Sequence, residues 1–382
     1  MPATGKKFLL MVPSLTGGGG QKVAATLCEG LGREEDLQIV LVVFDPASTG
    51  DLGPSVKVRH IEVRETGGAI YTVGKFFKVV IELAGIIRRE QPLAILSFMD
   101  YCNTVTLLAW RLAASRGRVV ISVHTLFSAF MRGKGANARG RLLKLLATRL
   151  YRRANAIIAV SRGAALDLAE TFGLPAAKIR VIGNPFDLAK ISRLARTPVD
   201  EPIFKEESPI LLSVGRLAPE KGGENLLRAF ALLRRKTEAR LVFLGEGPEK
   251  DTLARLCRKL GIERHVFFLG YRANPFRYMA RSTVFVLSSL YEGFGNVLIE
   301  AMACGLPVVA TRCYHGIEEI VEDGVTGLLV ETGDEKAMAE ALLGVLDQAS
   351  LRRDLVMAAR EKVKLFDKDR IVASYRTVLE GD

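Results

Sequence analysis

Two glutamates eight positions apart, Glu292 and Glu300, stand in the segment SSLYEGFGNVLIEAMACGLPVVAT at 288–311. The apolar run VFVLSS before them reads as a strand, Glu292-Gly293-Phe294-Gly295 as a turn, and Asn296 as the start of a helix that stops at Gly305. Glu292 therefore falls in a strand-to-helix loop, and Glu300 lies one turn beyond Asn296 on the same helix face. Free amides at a helix start attract a phosphate. Carboxylates beside such a site can accept hydrogen bonds from sugar or ribose hydroxyls. Either glutamate standing alone would read as a loop charge or an offset to the helix dipole. Upstream, the strand ILLSVG runs into Arg216-Leu-Ala-Pro-Glu-Lys221-Gly222, two cations on one turn. Separating a diphosphate from a sugar develops negative charge that such cations stabilise; solvated turn charges are the plainer alternative.

Four consecutive glycines, Gly17–Gly20, follow the first apolar run and precede an amphipathic segment. At a strand-to-helix turn they let amides approach an anion, although a turn without a ligand explains the run alone equally well. The dinucleotide fingerprint G-x-G-x-x-G is absent, since counting from Gly17 reaches Lys22 and from Gly18 reaches Val23. Asp45 does stand where a ribose-binding acid would, so a nicotinamide oxidoreductase stays open. His124 ends the apolar strand VVISVHT, a position open to either a structural or a catalytic role. The GEGPEK turn at 245–250 reads as a strand-to-helix connection without chemistry of its own.

Short apolar runs alternate with helix-length periodic segments throughout, the pattern of parallel βαβ units. The stretch Ile191–Pro209, rich in proline and charge, breaks the rhythm. The expected fold is α/β, two tandem Rossmann-like doubly wound domains facing a cleft. An N-terminal domain covers 1–195, a C-terminal domain covers 205–365, and a closing helix lies within 366–382. Ligands of such sheets bind at the carboxyl ends of strands.

Composition narrows the classes. With 382 residues, 49% hydrophobic and 25% charged, the chain is neither disordered nor collagenous, and no apolar run approaches the ~18 residues of a membrane span. The lysines and short apolar run at the start read as a first strand, not a leader peptide. Five scattered cysteines without a C-x-x-C pair and four histidines without i, i+4 spacing argue for a reducing compartment and no zinc site. The net charge of +12 is uneven: residues 1–200 hold 28 Lys+Arg against 15 Asp+Glu, a net +13, whereas residues 201–382 hold 26 against 27, a net −1. No acidic residue occurs between Asp100 and Asp167, while twelve basic ones do. Nucleic acid, a membrane surface or a phosphorylated substrate would meet such a patch, and so would plain water. RGRLLKLLATRLYRRA at 139–154 sets Leu142, Leu143, Leu146 and Leu150 among basic residues. A helix resting on anionic lipid or gripping a lipid diphosphate fits it, as does a buried helix with a basic outer face.

Together these residues resemble glycosyltransferase family 4, retaining nucleotide-sugar transferases of the GT-B fold. The resemblance spans nearly the whole chain: the E-x7-E pair Glu292 and Glu300, GRLAPEKG at 215–222, VIGNPFD at 181–187 and DGVTGLLV at 323–330. It implies that Glu292 holds the donor sugar's hydroxyls, Glu300 the nucleotide ribose, and Arg216 with Lys221 the diphosphate. Amides around Phe294, Gly295, Asn296 and Val297, with the Gly18–Gly19 turn, would line the donor site, and His124 would face the transferred sugar. The closing helix would cross back onto the N-terminal domain. A UDP- or GDP-sugar is then the donor, with no metal or other cofactor, and a hexosyl unit passes to a lipid-linked oligosaccharide or surface polysaccharide. The implied place of work is cytoplasmic, peripheral on the inner face of the membrane. One departure is Gln21-Lys22 where many members carry Glu-Arg, which puts in doubt any role resting on that acid. A non-catalytic nucleic-acid-binding protein is the other rival, but the basic half lacks an RNA-recognition or zinc-finger motif.

Overall fold

The computed structural model describes residues 5–16, 19–45, 49, 52, 54–63, 73–124, 128, 145, 147–313 and 316–381. Its contacts divide the chain into two units, Met1–Pro185 with Lys368–Asp382, and Phe186–Asp367.

Unit 1 is built on a parallel sheet of strands β1 (Lys6–Met11), β2 (Leu37–Val43), β3 (Val56–His60), β4 (Ala94–Phe98), β5 (Arg118–Val123), β6 (Ala156–Ala159) and β7 (Ile179–Val181), in the order β3-β2-β1-β4-β5-β6-β7. The inner strands read FLLM, AILSF and VVISV and are buried along their length, because helices cover both faces of a parallel sheet. Helices α1 (Gly19–Leu31), α2 (Val73–Glu90), α3 (Asp100–Leu112) and α4 (Arg162–Phe172) connect them. Ser161 caps α4 by accepting the Ala164 amide, and Gly173 at φ +59° ends it.

The sequence order reverses between β1 and β4, so the loops after β1, β4 and β5 gather at one edge of that switch point. His124 and the start of α1 both lie there. Of the basic stretch at 139–154, residues 139–144 and 146 lie outside the described residues; residues 147–151 are helical, and Ala147, Leu150 and Tyr151 are buried.

Unit 2 follows with α5 (Leu188–Ala195), β8 (Ile210–Val214), α6 (Gly223–Leu233), β9 (Arg240–Leu244), α7 (Lys250–Leu260), β10 (Val266–Phe268), α8 (Phe276–Met279), β11 (Val284–Leu287), α9 (Asn296–Ala303), β12 (Val308–Thr311), β13 (Leu328–Val330), α10 (Glu335–Asp347) and α11 (Ala349–Val363). Its parallel sheet runs β10-β9-β8-β11-β12-β13, the same reversal, here between β8 and β11. The units divide at Pro185/Phe186, ahead of the proline-rich stretch, because α5 packs on α8 and α9 and Asn274 donates to the Leu194 carbonyl at 3.0 Å.

The last helix, α12 (Lys368–Glu380), belongs to unit 1. Its Ile371, Val372, Tyr375, Val378 and Leu379 follow helical spacing and enter one core with Leu27, Cys28 and Leu31 of α1. Arg376 pairs with Glu34 at 2.8 Å and Asp36 at 2.5 Å, and Lys6 with Glu380 at 2.8 Å. Among the described residues no helix is long and apolar enough to cross a membrane.

Candidate active site

The reversal in unit 2 leaves a crevice between the loops that follow β8 and β11. A cavity of about 260 Å³ occupies it, lined by Gly215, Arg216, Lys221, Gly222, Ser288 and Ser289 among others. Three contacts stitch the two loops together. The Leu290 amide donates to the Glu220 carbonyl at 2.8 Å, Ser288 Oγ donates to the Lys221 carbonyl at 2.8 Å, and Lys221 Nζ meets Glu292 Oε1 at 2.6 Å.

Gly222 makes this fit possible. It sits at φ +61°, and a Cβ there would stand 2.1 Å from the Ser288 carbonyl oxygen.

Glu292 is held from two sides, by Lys221 and by Ser289 Oγ, which donates to the same oxygen at 2.7 Å. Ser289 is itself anchored where Thr311 Oγ1 donates to its carbonyl at 2.6 Å. One carboxylate oxygen therefore takes both contacts, leaving Oε2 to accept a hydroxyl. Arg216 is paired within its own turn: its guanidinium donates to Glu220 at 2.5 Å while remaining largely exposed. An arriving anion competes with Glu220 for it.

Helix α9 begins as expected at Asn296. Gly295 precedes it at φ +91°, with no side-chain cap from the residue before the helix and no acidic residue in the first turn. Phe294 turns its ring into the unit, edge-on to Phe366 with centroids 5.7 Å apart, which leaves its backbone on the loop. Val297 is half-buried in the first turn, and Glu300, one turn on, is half-buried too. Cys313, buried close by, has its thiol pushed up to about 12, first by burial and then by the charge of Glu292. Among the described residues no group of three or more His, Cys, Asp and Glu could hold a metal ion.

In unit 1 the structure brings two of the predicted residues together. A Cβ on Gly20 would lie 3.4 Å from His124 Cγ, so the imidazole packs against the glycine start of α1. Gly19 is the first residue of that helix, whereas Gly17 and Gly18 lie outside the described residues. The ring's other neighbours are Phe98, with centroids 5.8 Å apart, Ser122, whose Oγ is 2.9 Å from Nε2, and Asn184. Burial holds the imidazole down at about 4, with the Asn184 side chain opposing. Gln21, the departure from the acidic motif, donates to Ser14 Oγ at 2.8 Å and so ties the start of α1 to the end of the β1 loop.

Sequence reasoning missed Ser289, Glu220, Ser122 and Asn184. Ser288-Ser289 after VFVL was the one visible signal, a polar pair closing a buried strand. Asn184 stood inside VIGNPFD without a role of its own, and Ser122 is hidden in an apolar strand, its second partner, Tyr375, being distant in sequence.

The family models match in chain order, Glycosyltransferase Family 4 over residues 17–190 and Glycosyl transferases group 1 over residues 198–362. One relative aligns end to end: N-acetylgalactosamine-N,N'-diacetylbacillosaminyl-diphospho-undecaprenol 4-alpha-N-acetylgalactosaminyltransferase of Campylobacter jejuni is 31% identical over 98% of this chain and 100% of its own. The chain belongs to glycosyltransferase family 4. This family 4 glycosyltransferase is also 37% identical to N-acetyl-alpha-D-glucosaminyl L-malate synthase of Bacillus anthracis, over 46% of each chain. Its fold matches that of Anabaena Alr3699/HepE, solved in complex with UDP and glucose, with a TM-score of 0.79 over 99% of this chain and 100% of that one at 23% identity. The fold is therefore GT-B.

Proposed function

We propose that the protein is a retaining, metal-independent hexosyltransferase that takes its sugar from a nucleoside-diphosphate donor and delivers it to a lipid-linked oligosaccharide or surface polysaccharide. The observation that carries this reading is the pairing of Lys221, which lines the unit 2 crevice, with Glu292, in a chain that aligns throughout with a transferase named for a diphospho-undecaprenol glycan acceptor. Lys221 and Arg216 take the diphosphate, supplying the charge that lets it leave. The α9 amides from Phe294 to Val297 bind the same group, Glu300 the ribose, and Glu292 the sugar hydroxyls. His124 is read as facing the transferred sugar, and the Gly18–Gly19 turn as an anion-binding turn for the donor. Binding of UDP and glucose by the Anabaena protein supports a UDP-sugar, and a GDP-sugar is tested beside it. The α linkage in the Campylobacter enzyme's name supports retention.

The basic half supports an anionic acceptor, either a lipid diphosphate or the inner face of the cytoplasmic membrane. No nucleic acid is a partner in this reading.

The deciding experiment is a thermal-shift panel of UDP- and GDP-hexoses against NADH. A donor at 100 times its Kd stabilises the folded state by about 2.7 kcal/mol. Stabilisation by NADH and by none of the nucleotide sugars would turn the assignment to an oxidoreductase. The selected donor is then offered with a diphospho-undecaprenol glycan in the presence of a chelator, and the product's anomeric configuration is read by NMR. Loss of transfer with the chelator refutes metal independence, and an inverted product refutes retention.

A further inference from the structure

His124 is the end of a buried chain of hydroxyls that crosses unit 1. Ser122 Oγ lies 2.9 Å from His124 Nε2 on one side and 3.2 Å from the Tyr375 hydroxyl on the other. Ser122 is completely buried in β5, and Tyr375 is completely buried in α12. The β5 end is fixed as well. Ser97 Oγ donates to Asn103 Oδ1 at 2.7 Å, and Asn103 Nδ2 donates to the Ser122 carbonyl at 3.0 Å.

The direction of the hydrogen bonds follows from satisfying each proton. Among the described residues, Ser122 is the one hydrogen-bond partner of the Tyr375 hydroxyl. A buried hydroxyl proton without an acceptor is costly, so Tyr375 donates to Ser122 Oγ. Ser122 then turns its own proton onto His124 Nε2. A nitrogen that accepts carries no hydrogen, which leaves the ring's hydrogen on the buried Nδ1, where the Asn184 side chain is the polar neighbour.

We propose that Tyr375 is a positioning residue for sugar transfer: acting through Ser122, its hydroxyl holds His124 neutral with its hydrogen on Nδ1, on the buried side of the ring beside Asn184. The inference rests on the reading that His124 works in transfer. Among the described residues, the groups facing the ring are Gly20 from α1, Phe98 from β4, Ser122 from its own strand, Tyr375 through Ser122, and Asn184 from the loop after β7. None of them is a carboxylate or a cation. Among the described residues the hydroxyl relay and the Asn184 side chain therefore set the tautomer between them, and the relay favours the neutral ring in the same direction as burial does.

The test is 15N NMR of the full chain labelled at histidine, without ligand, so that it needs no turnover. There are four histidines, and His124→Gln assigns the one in question. In the wild type, Nε2 should show the shift of an unprotonated nitrogen and Nδ1 that of an N–H. Tyr375→Phe frees Ser122 to accept from the ring. The spectrum should then show mixed tautomers, with the titration moved up toward the ordinary histidine value. Its kcat should fall about fivefold, the loss of one neutral hydrogen bond, with the donor KM unchanged. Ser122→Ala should change the spectrum in the same direction, while Ser122→Thr, which keeps the hydroxyl, should restore the wild-type pattern.

A wild-type ring with its hydrogen on Nε2 overturns the relay. So do an unchanged tautomer and titration in both Tyr375→Phe and Ser122→Ala, with folding verified by thermal melting. Wild-type transfer by His124→Ala overturns the role in transfer, whatever the spectra show, and locates the failure in the functional reading.

Discussion

Exchanging Lys221 for methionine and Glu292 for glutamine, singly and together, separates the part of their contact that holds the loops from the part that works on the donor. At 2.6 Å the gross attraction is roughly 6 kcal/mol at an effective dielectric constant of about 20. The side chains keep 32% and 13% of their exposure, so both ions have lost part of their hydration, and the net value falls between that of a surface pair and a buried one. A coupling of about 1–2 kcal/mol is expected, worth roughly 2–8 °C in the melting of a unit of this size. Lys221→Met should cost the most stability, since it leaves Glu292 charged with Ser289 as its remaining contact. Glu292→Gln should cost less, because an amide still accepts from Ser289 and Lys221. The double variant should recover part of the loss. Turnover behaves differently: each single change removes a group aimed at the leaving or transferred part of the donor and should lower kcat at least about 100-fold. The double variant should be scarcely worse than the poorer single one. Melting curves without ligand and initial rates at saturating donor measure the two cycles independently. Strictly additive melting shifts combined with wild-type turnover in either single variant would refute the argument.

Three further outcomes follow from the geometry. Gly222→Ala forces a Cβ against the Ser288 carbonyl and an L-residue into φ +61°, and should cost about 2 kcal/mol or more while weakening nucleotide binding, read by melting and titration. Ser289→Ala leaves Glu292 held by Lys221 alone, and should reduce turnover by about tenfold without loss of donor binding, read as a split between kcat and KM. In unit 1, burial pushes the Glu90 carboxyl up, but hydrogen bonds from Lys57, Arg59 and Lys7 outweigh it and hold it at about 2. A depressed carboxylate stabilises above its unfolded value of 4.5, and that contribution disappears as pH falls from there to about 2. With Lys57 and Arg59 substantially exposed, the effect is about 1–2 kcal/mol. Glu90→Gln should flatten acid melting in that window, and a wild-type slope there would show that another group governs it.

What the sequence revealed and what it hid divide along contact distance. Glu292, Lys221 and Arg216 were legible because each lies in a strand-turn-helix segment whose local pattern dictates its place, and the alternation of runs predicted both sheets. The pairing of Lys221 with Glu292 was not, since it requires β8 and β11 to be neighbours, a fact of strand order rather than of periodicity. Arg216 illustrates a different limit: the sequence showed two cations on one turn, but not that Glu220, four residues on, comes back to meet one of them. Gln21 read as a missing charge, yet its amide makes a contact with Ser14 that lies outside the acidic motif. The unit boundary came earlier than the proline-rich stretch because composition marks where a chain is irregular, while α5 is assigned by what it packs against.

The return of α12 to the first sheet bears on the order in which the polypeptide matures during synthesis. Unit 2 is contiguous, Phe186–Asp367, so its whole core has emerged before α12 does. Unit 1 has its sheet made early but lacks Ile371, Val372, Tyr375, Val378 and Leu379 until the end, and Leu27, Cys28 and Leu31 of α1 wait for them. The nascent first unit thus carries an open apolar seam throughout the translation of the second. That interval is where a chaperone would be needed, and a premature stop before residue 368 would leave the seam open permanently.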